Sequence, residues 1–249
     1  MNGIIATILL TILIGPKLVN WNNYKTEIST RVKNLTGHDI KINGDINISL
    51  FPSPAIIVRK INVFSVNRTS TDKIIFVKSA AVNLDLAPLI VGKLKIKTIN
   101  LHDPIFNFEV LPSGNNNWTF KPGKNLDRRN SSPKNHKFGS ENINNIPQEI
   151  AFNNITIKNG IITYKDQSRN FLAKASNVNA KISLDSWMGP YQVSGSLKSR
   201  AAGINFDLKL GQLIKSKVLP VNLKLNLDSA NTSLQLSGTI KNPLENPQL

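Results

Sequence analysis

Between Ile40 and Ile240 aliphatic residues recur in runs at every second position, with Asn, Lys, Ser, Thr or Asp between them. A period of two sends alternate side chains to opposite faces of a pleated strand. A chain written this way over most of its length gives each strand one apolar face and one wetted face. That patterning is the mark of an antiparallel sheet with a solvated side. The candidate strands are 55–64, 73–86, 93–101, 105–111, 152–158, 160–165, 171–184, 191–197, 204–210, 218–227 and 233–240. In the last two, Leu223, Leu225, Leu227, Leu234 and Leu236 face one way, and Asn222, Lys224, Asn226 and Gln235 face the other. Near the start, Ile40 and Ile42, then Ile46, Ile48 and Leu50, alternate around Gly44-Asp45, which reads as a hairpin. Only 6% of the residues are aromatic, so whatever these strands bury is aliphatic.

Two stretches break the period. Residues 3–21 are apolar apart from two threonines, Asn20, Pro16 and Lys17. That run just reaches the ~20 residues a membrane-spanning helix needs. Ile4, Ile5, Ile8, Leu9, Leu10, Ile12, Leu13 and Ile14 supply its hydrocarbon surface, and Trp21 suits the interface at its end. No small-x-small cleavage site follows, so the expectation is an uncleaved anchor with the rest of the chain outside the cytoplasm. Next, Tyr24, Ile28, Val32 and Leu35 recur at helical spacing, which predicts an amphipathic helix over 23–36, stopped by Gly37. The second break is 121–148, rich in Asn, Lys, Ser, Pro and Gly, a composition that buries too little to offset its ordering entropy. The organisation read from these breaks is a membrane anchor (1–21), a helix with β-sheet (22–120), a polar linker or disordered loop (121–148), and a second β-segment (149–249) continuing the same sheet.

One internal echo stands out. Ile99-Asn-Leu101-His-Asp103-Pro-Ile105-Phe106 resembles Ile155-Thr-Ile157-Lys-Asn159-Gly-Ile161-Ile162, each read as strand, tight turn, strand. Its irregular period points to a growing β array rather than a strict solenoid.

A search for chemistry comes out nearly empty. The chain has no cysteine, which excludes disulfides, thiolate metal sites and a cysteine nucleophile. His38, His102 and His136 have no metal-ligand spacing, and no serine elbow accompanies His102-Asp103. The glycines form no phosphate loop. We therefore expect no enzyme, no metal and no cofactor. The formal net charge of +16 favours polyanions such as anionic lipid headgroups, although a chain this rich in Asn, Lys and Ile can reach that charge through base composition alone. Nucleic acid is not expected as a partner, because basic residues interleaved with exposed aromatics are missing. From pattern alone, the apolar strand faces fit either the core of a sandwich or the floor of a groove.

A set of short motifs then carries a family resemblance. An apolar start leads to Trp21-Asn-Asn-Tyr24-Lys25. It is followed by Leu35-Thr36-Gly37-His-Asp39-Ile40, Ile42-Asn-Gly44-Asp45-Ile46 and Ser49-Leu50-Phe51-Pro52-Ser-Pro54. Further on come Leu84-Asp-Leu86-Ala-Pro88-Leu89-Ile-Val-Gly92-Lys-Leu94, Leu101-His-Asp103-Pro104-Ile105 and Gly114-Asn-Asn-Asn117-Trp118. In order and spacing, roughly residues 1–120 resemble the N-terminal region of the AsmA family, and 157–166 is similar to that family's second β segment. The resemblance implies a protein anchored in the bacterial inner membrane, with its bulk in the periplasm, and implicated in outer-membrane assembly. It also implies likeness to bridge-like lipid transporters, whose long curled sheet encloses an apolar groove. Family members are generally longer and carry basic residues before the anchor, so a truncated member is expected. On this reading the partners are the membrane, phospholipid or another acyl lipid, and outer-membrane assembly proteins. The groove candidates are Val82, Leu84, Leu86, Leu94, Ile96, Ile155, Ile157, Leu223, Leu225, Leu227, Leu234 and Leu236. The rival expectation is a structural or interaction module assisting outer-membrane protein assembly, or an inactive fragment of a longer relative.

Overall fold

A computed structural model describes residues 19–50, 53–65, 73–90, 95–118, 154–184, 189–200, 202–212, 218–228 and 232–241. The anchor 3–21 falls outside them except for its last three residues, as does the linker 121–148. Among the described residues, no helix is long and apolar enough to cross a membrane.

The fold begins with a 3-10 turn, Trp21–Tyr24, that runs into helix α1, Lys25–Thr36. Glu27 in the first turn and Lys33 in the last complement the helix dipole. Gly37 ends the helix in the left-handed conformation, φ 76°, and its N–H returns to the Lys33 carbonyl at 2.7 Å. Ile28 and Val32 are half-buried, whereas Tyr24, expected on the same face, is exposed and stacks obliquely on Trp21. A second, short helix is α2, Leu86–Ile90.

Among the described residues the strands form one sheet of eleven. The strands are β1 Ile40–Ile42, β2 Ile46–Ser49, β3 Ala55–Phe64, β4 Lys73–Leu84, β5 Ile96–Val110 and β6 Ile155–Asp166. They continue with β7 Phe171–Leu184, β8 Tyr191–Lys198, β9 Gly203–Leu210, β10 Val218–Leu227 and β11 Thr232–Lys241. From β3 onward each strand lies beside its successor in sequence, so the sheet grows in one direction. Among the described residues, substantial contacts between strands are confined to hydrogen-bonded neighbours, so this sheet is open and curled rather than closed or doubled.

Three local expectations are corrected. β1 and β2 do not form a hairpin: both pair with β3, against 61–63 and 55–58 respectively. They make one interrupted strand, and Gly44 sits at the interruption because a Cβ there would lie 2.6 Å from the Arg59 carbonyl oxygen. The sheet is not antiparallel throughout, since β5 and β6 run parallel. That join accounts for the internal echo: Ile99 pairs with Ile155, Leu101 with Ile157 and Phe106 with Ile162, so the two similar segments lie side by side in register. Finally, the tight turns expected at Asp103 and Asn159 are not turns. Each is a left-handed residue inside an unbroken strand (φ 49° and 55°), and Lys60 on β3 and Asn177 on β7 share that conformation. Asn and Asp tolerate left-handed backbone better than most residues, because their short polar side chains bond locally. Together they make an irregular crease across β3–β7, where register slips occur on β6 and β7. Irregularities of this kind bend a strand and increase its twist.

Candidate functional site

Residues in register on neighbouring strands share a face and lie about 4.8 Å apart along the hydrogen-bonding direction. One such row reads Ile48, Ile56, Val82, Ile99, Ile155, Ile182, Val193, Leu208, Leu223, Leu236 across ten strands. Two residues along, a second row reads Ile46, Val58, Ala80, Leu101, Ile157, Ala180, Gly195, Phe206, Leu225, Leu234. No polar side chain interrupts either. Nine strand spacings make each row roughly 43 Å long. On the later strands two further rows flank them: Leu184, Tyr191, Leu210, Val221, Gly238 on one side and Leu197, Ile204, Leu227, Thr232 on the other.

The intervening row on the opposite face reads Asn47, Ile57, Ala81, Asn100, Thr156, Lys181, Ser194, Asp207, Lys224, Gln235. Its neighbours satisfy one another across strands: Asn83 Nδ2 donates to Thr98 Oγ1 at 2.7 Å and Asn222 Nδ2 to Ser237 Oγ at 3.0 Å. Beside the crease, Lys78 Nζ donates to Asp103 Oδ2 at 2.9 Å and holds that carboxyl below the ordinary carboxylate range. Along these rows the sheet is therefore oily on one side and mostly polar on the other, with apolar residues on the second side at Ile57 and Ala81 and, beyond the crease, at Phe76, Ile105 and Ile161.

Burial along the apolar rows is uneven. Ile46, Val58, Ala80, Ile157 and Ala180 are buried, while Leu234 and Leu236 are 46% and 52% exposed. At the first edge the 3-10 turn reaches β2, where Asn22 Oδ1 accepts from the Ile46 N–H at 3.2 Å, and α1 packs on β1. Across β3–β7, Val63, Ile75, Phe106, Ile162 and Ala175 form another register row, and Phe106, Ile162 and Ala175 pack against the Ile157–Val178–Ala180 cluster. Here an aromatic chain closes one side of the face: Phe106 on Phe108, Phe108 on Trp118 edge-on at 5.6 Å, then Tyr164 and Phe171. Trp118 is held there by Asn117, buried to 1%, whose side chain accepts from the Glu109 N–H and donates to the Asn107 carbonyl like a strand backbone.

Of the groove candidates, Val82, Ile155, Leu223 and Leu236 fall on the first row and Ile157, Leu225 and Leu234 on the second. Leu227 pairs with Ile204 beside them, and Leu84 pairs with Ile96 at a register shift. Leu86 departs: β4 ends at Leu84, and Leu86 opens α2, 56% exposed, beside a cavity of about 290 Å³ that includes Asn83 and Thr98. Leu94 lies outside the described residues. Most residues of the two rows were not among those candidates, Ile48, Ile56, Ile99, Ile182, Val193 and Leu208 among them. Their alternation was visible, but nothing in one strand says which residue of the next it will face. Among the histidines, His38 is buried with Nδ1 3.1 Å from the Phe64 carbonyl oxygen, and His102 is exposed on the polar face. His136 lies outside the described residues. Among the described residues, no three His, Asp or Glu side chains gather closely enough to share a metal ion.

An open single-layer sheet with continuous aliphatic rows on one face defines the class: a protein that offers apolar surface along the length of a sheet. The chain belongs to the AsmA family, whose sequence profile matches residues 2–245, nearly all of it. No curated protein matches the chain.

Proposed function

We propose that this chain is a non-enzymatic carrier of phospholipid or another acyl lipid in the bacterial envelope, held at the inner membrane by residues 3–21 with its sheet in the periplasm. One observation carries the reading: two aliphatic rows cross ten strands without a polar interruption, and no second layer covers them among the described residues. A sandwich would have covered that face. A row of roughly 43 Å exceeds the ~30 Å hydrocarbon thickness of a whole bilayer, so an acyl chain laid along it finds apolar contact over its full length. Burial of hydrocarbon supplies the affinity, about 25 cal/mol per Å², and methylene groups offer nothing for a more selective contact. The path runs across the strands, from the helix-capped edge at β1–β2 toward β11. Membership of a family associated with the bacterial envelope supports the location.

The decisive measurement is photo-crosslinking at two neighbouring positions in cells. A photoreactive residue at Leu225, on the apolar face, should capture lipid, and one at Lys224, on the polar face, should not. Equal labelling at both positions, or none in a folded protein, defeats the carrier reading. Capture of an outer-membrane protein instead would favour an assembly module. Topology is tested separately: a C-terminal reporter active only in the cytoplasm would reverse the proposed orientation.

A further inference from the structure

Where β4 ends, the sheet parts. The register between β4 and β5 shifts there: Asn83 faces Thr98, Leu84 faces Ile96, and Lys97 falls between them. The chain then leaves the strand, with the Leu84 N–H on the Pro54 carbonyl and the Asp85 N–H on the Lys95 carbonyl, both at 2.8 Å. The gap so opened is the cavity of about 290 Å³ beside α2, and Ser53, Asn83, Asp85, Leu86, Lys97 and Thr98 line most of it. Ligand sites run from roughly 300 Å³ upward, so this one suits a compact head rather than a whole lipid. Its charges are set apart. The chain carries 31 Lys and Arg against 15 Asp and Glu, so a carboxylate has cations to choose from. Glu27, Asp39, Asp103, Glu109 and Asp166 each meet one. Asp85 is half-buried, yet its carboxylate makes no ion pair or hydrogen bond, and the Lys97 ammonium at the same cavity makes none either. Drawing a charge out of water without a partner is costly, and opposite charges kept apart in a cleft mark a place for a ligand that carries both. Asn83 Nδ2 donates to Thr98 Oγ1, which leaves Asn83 Oδ1 to accept and the Thr98 hydroxyl to donate.

We propose that this cavity binds the head of a phosphoethanolamine lipid, its ammonium on Asp85 and Asn83 Oδ1 and its phosphate on Lys97 and the Ser53 and Thr98 hydroxyls. The chemistry selects this head over others. A phosphoglycerol head brings no cation to Asp85. A trimethylammonium has no N–H to donate and is held by aromatic faces, and no aromatic residue lines this cavity. The position joins head to tail. Leu84 lines the cavity and lies two residues along β4 from Val82 on the first aliphatic row, so acyl chains on that row begin about 7 Å from the head. Leu86, 56% exposed, supplies apolar surface at the mouth. The inference adds a choice of headgroup to the proposed carrier and rests on that reading for the acyl chains alone.

The test offers the full chain in detergent equal amounts of phosphatidylethanolamine, phosphatidylcholine and phosphatidylglycerol with the same acyl chains, and counts bound lipid by mass spectrometry. Phosphatidylethanolamine should be enriched about tenfold over each of the others, the effect of one hydrogen-bonded charge pair. Asp85→Asn removes no side-chain contact of the fold and should abolish that preference. Lys97→Met should weaken capture of phosphatidylethanolamine and phosphatidylcholine alike. Asp45→Asn, at an exposed carboxylate outside the cavity, should keep the preference. Lipid taken up without preference, or a preference that survives Asp85→Asn, overturns the proposal and leaves the carrier standing. Soluble glycerophosphoethanolamine, titrated by calorimetry, separates the two sources of this head. If it binds, and Asp85→Asn abolishes the binding, in a chain that takes up no lipid, the cavity belongs to a soluble phosphoethanolamine, and both the lipid head and the carrier are overturned. A chain that binds neither lipid nor the soluble head overturns both as well.

Discussion

Ile46 and Leu234 end the same register row, yet one is 3% exposed and the other 46%. The chemistry of the row does not change along its length, but the sheet beneath it does. From β3 to β7 the strands carry left-handed residues at Lys60, Asp103, Asn159 and Asn177, with slipped registers at β6–β7 and β7–β8. From β8 to β11 the paired residues follow one another in unbroken register. The creased half has α1 and the 3-10 turn at its edge, small residues Ala80 and Ala180 in its row, and the Phe106–Trp118 aromatic chain at its side. Among the described residues the regular half has neither helix nor aromatic chain, and Gly195 is the small residue of its row. In a one-layer sheet a side chain can be buried only by neighbours that the sheet brings over it, so burial follows bending, and the same aliphatic pattern yields core at one end and open surface at the other.

Charge substitution gives the largest contrast between the halves. Ile157→Asp buries a carboxylate against Val178 and Ala180 and should remove about 3 kcal/mol or more of stability, enough to abolish cooperative unfolding in a thermal melt. Leu234→Asp on the open edge should melt within about 0.5 kcal/mol of the parent. Equal losses would mean that the far end is covered after all. Glycine substitution is gentler. At Gly44 a Cβ meets the Arg59 backbone at 2.6 Å, so Gly44→Ala should cost about 1–3 kcal/mol in a urea titration. Gly238 has nothing within 4 Å of a built Cβ, and Gly238→Ala should be neutral or stabilising by up to about 1 kcal/mol. A costly Gly238→Ala would place a close neighbour on β11.

The crease itself is tested by Asn159→Ala, which sets an ordinary side chain in a left-handed conformation and should cost about 1–2 kcal/mol. Asn226→Ala on the regular β10 should change the urea midpoint little. If the two behave alike, the left-handed residue is not what bends the strand. Acid titration should show the smallest effect. Lys78 holds Asp103 below its ordinary value, and the Ser168 hydroxyl, donating at 2.6 Å, does the same for Asp166. A carboxyl with a depressed folded-state pKa contributes stability that is full above its unfolded value of about 3.9 and is lost as pH falls through the folded value. Asp103→Asn and Asp166→Asn should therefore lower stability near neutral pH and make its decline below about pH 4 shallower. An unchanged acid limb in both variants would show that neither contact is linked to folding.

Much of this could be read before any coordinates. The helix ended at Gly37 because helical spacing and a left-handed stop are local facts. Strands such as β7 and β10 matched their alternating runs. The likeness of 99–106 to 155–162 held the place where the chain rejoins its sheet. Where the reading failed, the deciding term was not local. Gly44-Asp45 has the composition of a turn, but the competing partner was β3, and only the closeness of Arg59 shows why a glycine is needed. Asp103-Pro104 and Asn159-Gly160 likewise look like turns, and each is a left-handed residue that a turn or a continuing strand can use equally well. Leu86 continued an alternating run, and the chain nonetheless turned into α2.

By itself the sequence determined which side chains share a face, because strand geometry fixes that within a few residues. It also determined that the buried surface is largely aliphatic and that most strands carry one apolar and one more polar face. The tertiary structure alone decided how the strands align. Inter-strand hydrogen bonds between backbones are alike at every register, and the choice among registers is made by residues tens of positions apart. That alignment turned separate aliphatic stripes into two rows across ten strands. It also set the parallel join of β5 to β6 and, among the described residues, brought no second layer onto the face, since no strand of an alternating pattern encodes whether one will meet it.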